Sequence, residues 1–209
     1  MNVQISYADF IIIALMIILG FEGYRTGFFH GLLGVGGLFI SMIITLLTLP
    51  YSSRFFNYVI ELSPNLSILM GFLSIFVISL LLYALFLQWL HSIMKMQVVD
   101  WFDKVFGTLF GLYKGLLTIS LLAIGFSLLP IPQVVQATEN NSLFLKPVKY
   151  FAPTNYNYFR KLFPTAPSFE YTLRYAYAQM GQPDEVANVL IKDFANRRLE
   201  KNVPTTKKP

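Results

Sequence analysis

The chain of 209 residues has no cysteine, only two histidines and few charges. Without cysteine there is no disulfide and no thiolate metal site, though the redox compartment stays open. His30 and His91 have no metal-ligating residue type three or four positions away, and no His-Glu-x-x-His occurs. Gly34-Val35-Gly36-Gly37 lies inside an apolar run, and no glycine-rich loop ends in Lys-Ser or Lys-Thr, so neither a dinucleotide loop nor a P-loop is expected. No enzyme, metal or cofactor is expected. Charged residues make up 13% of the chain, about half the share of a soluble domain. No Lys or Arg precedes the first apolar run and no small-x-small site follows it, so a cleaved signal peptide is not expected.

What remains is apolar. Hydrophobic residues make up 55% and aromatics 16%. Four runs stand out: Phe10–Phe21, extendable to Tyr7–Tyr24, then Phe28–Leu49, Leu66–Leu90 and Val105–Leu129. A spanning helix needs about 20 apolar residues. The last three runs meet that length, and the first does so if Asp9 and Glu22 sit at its ends. Pro50 marks the end of the second run, Ser63-Pro64-Asn65 the start of the third, and Pro130-Ile131-Pro132 the end of the fourth. The expected fold is an all-α membrane protein of four transmembrane helices in two glycine-seamed pairs, with a helical C-terminal tail.

Charge is unevenly placed. Residues 1–130 hold five Lys/Arg and five Asp/Glu, so the net +5 belongs to the remainder, where eleven basic residues face six acidic ones. Those charges form no dense patch, so no nucleic-acid partner is expected. Arg25, Lys95 and Lys104 follow the first and third runs, against Arg54 alone in the short opposite loop. The positive-inside rule then puts both termini outside the cytoplasm. The domains expected are a four-span unit over 1–132, a polar and partly helical extracytoplasmic tail over 133–201, and a disordered end over 202–209. Within the tail, 133–167 reads as loop-rich from its prolines. Phe169–Met180 and Asp184–Glu200 read as helices, packed on each other or lying on the membrane.

One stretch resists a purely lipid-facing interpretation. In Gly107-Thr-Leu-Phe-Gly111-Leu-Tyr-Lys114-Gly115, three glycines stand four apart with a lysine among them. At 100° per residue, Asp100, Asp103, Gly107, Gly111, Lys114 and Gly115 share a stripe roughly 120° wide. Glycines at that spacing let a second backbone approach closely. A charge inside a span is costly and faces a partner, or else reaches back to the interface. The first half carries an echo, Gly23, Gly27 and Gly31, with Arg25 among them and His30 seven residues after Gly23, as Lys114 follows Gly107. The simplest packing sets the two seams together, with Asp103, Asp100 or Glu22 near Lys114 or His30.

Asp103-Lys104, Gly107, Gly111, Lys114 and Gly115 resemble, in order, the signature of the colicin V production family. Asp9 at the head of the first run, followed by Gly23, Arg25 and Gly27, is similar to that family's opening, and Ser142–Pro164 to its segment after the fourth span. Thr26 and His30 depart from the basic residues of the pattern, and Lys104 and Lys114 stand where arginine is usual. The resemblance implies a four-span protein of the bacterial inner membrane linked to colicin V production. Two functions compete. One is an accessory or scaffold role in toxin production or export and envelope maintenance. The other is a small oligomeric channel or transporter subunit using Lys114, His30 and Asp103. The partners expected are the lipid bilayer and either further copies of the chain or another membrane protein.

Overall fold

The computed structural model describes residues 6–93, 100–129, 131–163 and 165–181. Every element among them is helical: α1 (Tyr7–Tyr58), α2 (Pro64–Ile93), α3 (Asp100–Ser127), α4 (Pro132–Asn141), α5 (Leu145–Lys149), α6 (Phe151–Phe159), a 3-10 turn (Arg160–Leu162) and α7 (Phe169–Gln179). The expected helix Asp184–Glu200 lies outside the described residues. The all-helical expectation holds. Three helices, α1, α2 and α3, are long and apolar enough to cross a membrane, where the apolar runs had counted four.

The difference lies in α1, which joins the first two runs. Its 52 residues contain one non-helical point, Gly27, at φ 81° and ψ 173°. That backbone region is essentially open to glycine alone. The neighbours of α3 show what the break does. Before it, Met16 and Leu19 lie against Gly115, and Gly23 against Gly107 and Gly111. After it, Gly31 lies against Phe110, and Gly34 against Lys114. The first arm, 7–26, therefore runs along α3 toward Asp103, and the second arm, 28–58, runs back.

Pro50 does not end the second run; it lies buried inside α1, which continues to Tyr58. A proline removes one helical N–H, and a membrane-type helix tolerates this where nearby hydroxyls serve the freed backbone. Here the Ser53 hydroxyl donates to the Pro50 carbonyl at 3.3 Å and the Ser52 hydroxyl to Leu49 at 3.2 Å. α2 lies along the second arm. Gly71 meets Ser52 and Ser53, and the Tyr83 ring covers Gly37 while its hydroxyl donates to Leu33 O at 2.9 Å.

The stretch expected to be loop-rich, 133–167, is largely helical up to Leu162. Pro147 and Pro153 stand at the third positions of α5 and α6, in the first turn, where a missing N–H costs no helical bond. α7 is capped by Ser168, whose hydroxyl accepts the Tyr171 N–H at 3.2 Å. These helices share the main core with the long ones. Val35, Phe39, Met42, Leu46 and Leu49 of α1 pack with Ile68 and Phe76 of α2, Leu117 and Ile124 of α3, and Tyr156, Phe169, Leu173 and Tyr177.

Candidate functional site

The glycines of α1 and α3 meet backbone to backbone. A β-carbon on Gly111 would stand 2.6 Å from the Leu19 carbonyl oxygen and 2.8 Å from the Gly23 Cα. One on Gly107 would stand 2.7 Å from the Gly27 carbonyl carbon, and one on Gly31 would stand 2.8 Å from Phe110 Cβ. Gly115 is less tight, with Leu19 Cβ at 3.2 Å. The contact thus joins α3 to the first arm along Gly107, Gly111 and Gly115, and reaches the second arm at Gly31. α2 takes no part in it. On its other flank α3 presents Phe102, Phe106 and Phe110, whose rings pack edge-on against Phe28 at 5.8, 6.0 and 5.4 Å.

Asp103 sits at the break. Its carboxylate accepts the Phe28 N–H at 2.8 Å. The second arm starts there, and the first N–H groups of a helix have no partner of their own. A carboxylate at that end satisfies one of them and lies favourably on the helix dipole. Asp103 therefore caps a helix distant in sequence. Any side chain on Gly27 would run into the same carboxylate. Gly27 is thus required twice, by its φ and by Asp103.

Lys114 bridges both arms. Its stem lies beside Gly34, where a β-carbon would sit 3.7 Å from Lys114 Cδ, and its ammonium pairs with Glu22 Oε1 at 3.1 Å. The two side chains remain 32% and 48% exposed. Of the three acids weighed as partners, Glu22 takes the lysine and Asp103 takes a backbone N–H. The side chain of Asp100 lies outside the described residues; its backbone opens α3. Arg25 and His30 are exposed on α1 on either side of the break. The Arg25 guanidinium lies 5.9 Å over the Phe21 ring, and the Lys104 ammonium 5.9 Å over the Tyr24 ring. Both are positioned for cation–π attraction.

Asp9 works at the opposite end. It is fully buried, and its carboxylate accepts from the Ser142 hydroxyl, from Phe144 N–H at 3.1 Å, Leu143 N–H at 3.3 Å and Ser6 N–H at 3.0 Å. A buried carboxylate is tolerated when its lone pairs are filled in this way. It ties the start of α1 to the link between α4 and α5. Beside it, Lys149 pairs with Glu139 at 2.8 Å, both side chains nearly buried, and Glu139 also accepts the Ser127 hydroxyl at 2.9 Å. Ser120 donates to Lys149 O at 2.9 Å and accepts from Ala152 N–H at 2.8 Å. The spacing of Ser120, Ser127, Glu139 and Lys149 along the chain carries no signal that would have named them, because their partners come from different elements. Among the described residues no three His, Asp or Glu side chains gather where a metal ion would sit.

A family model described as colicin V production protein matches residues 8–153. Comparison with curated proteins and with solved structures gives no match.

Proposed function

The chain belongs to the colicin V production protein family and is a multi-pass membrane protein, and from that premise we propose that it is a four-span scaffold of the bacterial inner membrane. Its role is accessory: it supports colicin V or other toxin production or export, and envelope maintenance. The termini lie outside the cytoplasm, in keeping with Arg25, Lys95 and Lys104 on one side against Arg54 on the other.

The four-span count is supported by the reversal at Gly27. Both arms of α1 follow the same length of α3, so a slab crossed by α3 is crossed by each arm. At about 1.5 Å per residue, a straight α1 would be near 78 Å long, far beyond a hydrocarbon core of about 30 Å.

One observation favours a scaffold over a conducting path: the charges of the seam are engaged within the fold. Asp103 caps the second arm, and Lys114 pairs with Glu22 across the first. The competing channel role would draw on the exposure left to the Lys114–Glu22 pair.

Two variants separate these roles in a strain lacking the native gene. Gly111→Ile places a branched side chain against backbone, so it should lose both assembly on size-exclusion chromatography and the support of toxin production. Lys114→Leu removes the pair with Glu22 and leaves the backbone contact of the glycines in place, so it should keep both. A Lys114→Leu protein that assembles normally yet supports nothing would sink the scaffold role. For orientation, an alkaline phosphatase fused after Pro209 should be active; an inactive fusion that is stably expressed would reverse the termini.

A further inference from the structure

The helices from α4 onward do not stay at one end of the bundle. Their contacts with α3 descend in order. Glu139 accepts from Ser127, at the end of α3. Lys149 and Ala152 bond Ser120, one to two turns lower. Asn155 Oδ1 accepts the Tyr113 hydroxyl at 2.8 Å, and the Phe151 ring packs on Tyr113 at 5.5 Å. Tyr113 stands ten residues, roughly 15 Å, from Asp103 and roughly 21 Å from Ser127. Phe159 then stacks on Phe39 at 4.3 Å, and Phe39 lies roughly 18 Å along the second arm from Gly27. From there the chain turns through Arg160–Leu162 and α7 climbs again. The Tyr177 hydroxyl donates to Asn65 Oδ1 at 2.7 Å, at the first turn of α2.

These marks lie on three different long helices and agree on depth. We infer that α5, α6 and α7 form a re-entrant helical hairpin, which enters the membrane at the end of the bundle where Asp9 and Asn65 lie, turns near mid-depth after Phe159, and leaves on the same side. Its occupied face is the core shared with α1 and α3. Its outer face meets lipid acyl chains, because the slab crossed by α3 surrounds it at that depth.

The outer face is largely apolar and aromatic, with Lys161 exposed at the turn and Arg174 exposed higher on α7. Tyr158, Leu162 and Phe163 are exposed around the turn, Leu162 by 71%, and Tyr171 and Tyr175 are exposed and stacked on the way out. The backbone of the turn is served inside the protein, as irregular chain at membrane depth must be. The Tyr156 hydroxyl donates to Pro167 O at 3.0 Å, and Arg160 Nη1 to Ala166 O at 3.1 Å. The Lys161 ammonium lies 5.0 Å over the Tyr158 ring, positioned for cation–π attraction.

The inference rests on the four-span assignment, and the absence of native cysteine lets both be tested on the full chain. Single variants Leu162→Cys, Ile78→Cys and Gln136→Cys are spin-labelled in vesicles of phosphatidylethanolamine and phosphatidylglycerol. Collision with oxygen is compared with collision with a water-soluble nickel complex. Ile78, exposed at mid-length of α2, is the lipid reference, and Gln136, exposed on α4, the water reference. Leu162 should match Ile78. A Leu162 signal like that of Gln136, or one shielded from both relaxants, overturns the hairpin. Separately, Thr26→Cys and Ser63→Cys should react with a membrane-impermeant maleimide from opposite faces. Reaction from the same face overturns the four-span assignment, whatever the spin labels give.

Discussion

A methyl group on Gly111 would separate two helices, while the same methyl on Gly34 would not. Both glycines are helical, so replacing either with alanine gains the same intrinsic propensity, about 1 kcal/mol. The tertiary terms differ. On Gly111 the new carbon meets Leu19 O at 2.6 Å and Gly23 Cα at 2.8 Å, both backbone atoms. Carbon contacts settle at about 3.5–4.0 Å, so the helices must part by roughly 1 Å. Overpacking of this kind costs about 1–3 kcal/mol. The parting also weakens the neighbouring contacts at Gly107 and Gly115, since a gap of 0.5–1 Å forfeits about a quarter to a half of each contact. On Gly34 the new carbon sits 3.7 Å from Lys114 Cδ, ordinary contact with a flexible side chain. Gly34→Ala should therefore be neutral or stabilising. Gly111→Ala should fall about 2 kcal/mol below it, a gap of roughly 4–8 °C for a chain of this size. Thermal unfolding of both variants in one detergent, followed by size exclusion, reads the difference. Equal midpoints, or a higher one for Gly111→Ala, would refute the backbone contact as the source of the packing.

Three other outcomes follow from the same geometry. Asp103→Ala should cost about 1 kcal/mol through loss of the cap on Phe28, with Asp103→Asn recovering part of it; hydrogen exchange at the start of the second arm should rise in the alanine variant, and an unchanged rate would contradict the cap. Gly27→Ala should be worse than Asp103→Ala, since it adds strain at positive φ to a clash with that carboxylate, and combining it with Asp103→Ala should relieve only the clash; full recovery of the melting temperature in the double variant would show that φ is not limiting. Glu139→Gln should destabilise less than Lys149→Met, because the amide oxygen can still accept from the Lys149 ammonium and the Ser127 hydroxyl, whereas methionine leaves a nearly buried carboxylate without its counter-charge, at a cost of about 3–5 kcal/mol; the reverse order in thermal melts would place the desolvation cost on the lysine.

Helix content was legible because four apolar runs of spanning character are a local pattern, and lipid permits few alternatives to a helix. The prolines misled for the same local reason. Pro50 reads as a stop, but it costs α1 a single hydrogen bond in a buried stretch that continues to Tyr58, and Pro147 and Pro153 fall in first turns. The stripe of Asp103, Gly107, Gly111, Lys114 and Gly115 was legible from angles alone. Its partner was not, since an angle says which residues share a face and nothing about what the face meets.

The sequence by itself determined the long apolar helices, the glycine stripe on α3, the echo at Gly23–Gly31 and the presence of charge within the apolar runs. Only the tertiary structure decided that the reversal between the first two runs falls on Gly27, that Asp103 goes to the Phe28 N–H while Glu22 takes Lys114, and that α5, α6 and α7 pack along the bundle. The physical reason is range. Helix formation and amphipathic spacing depend on neighbours within two turns. A cap supplied across 75 positions, or a carboxylate at position 9 filled by N–H groups at 143 and 144, exists only once the chain has closed on itself.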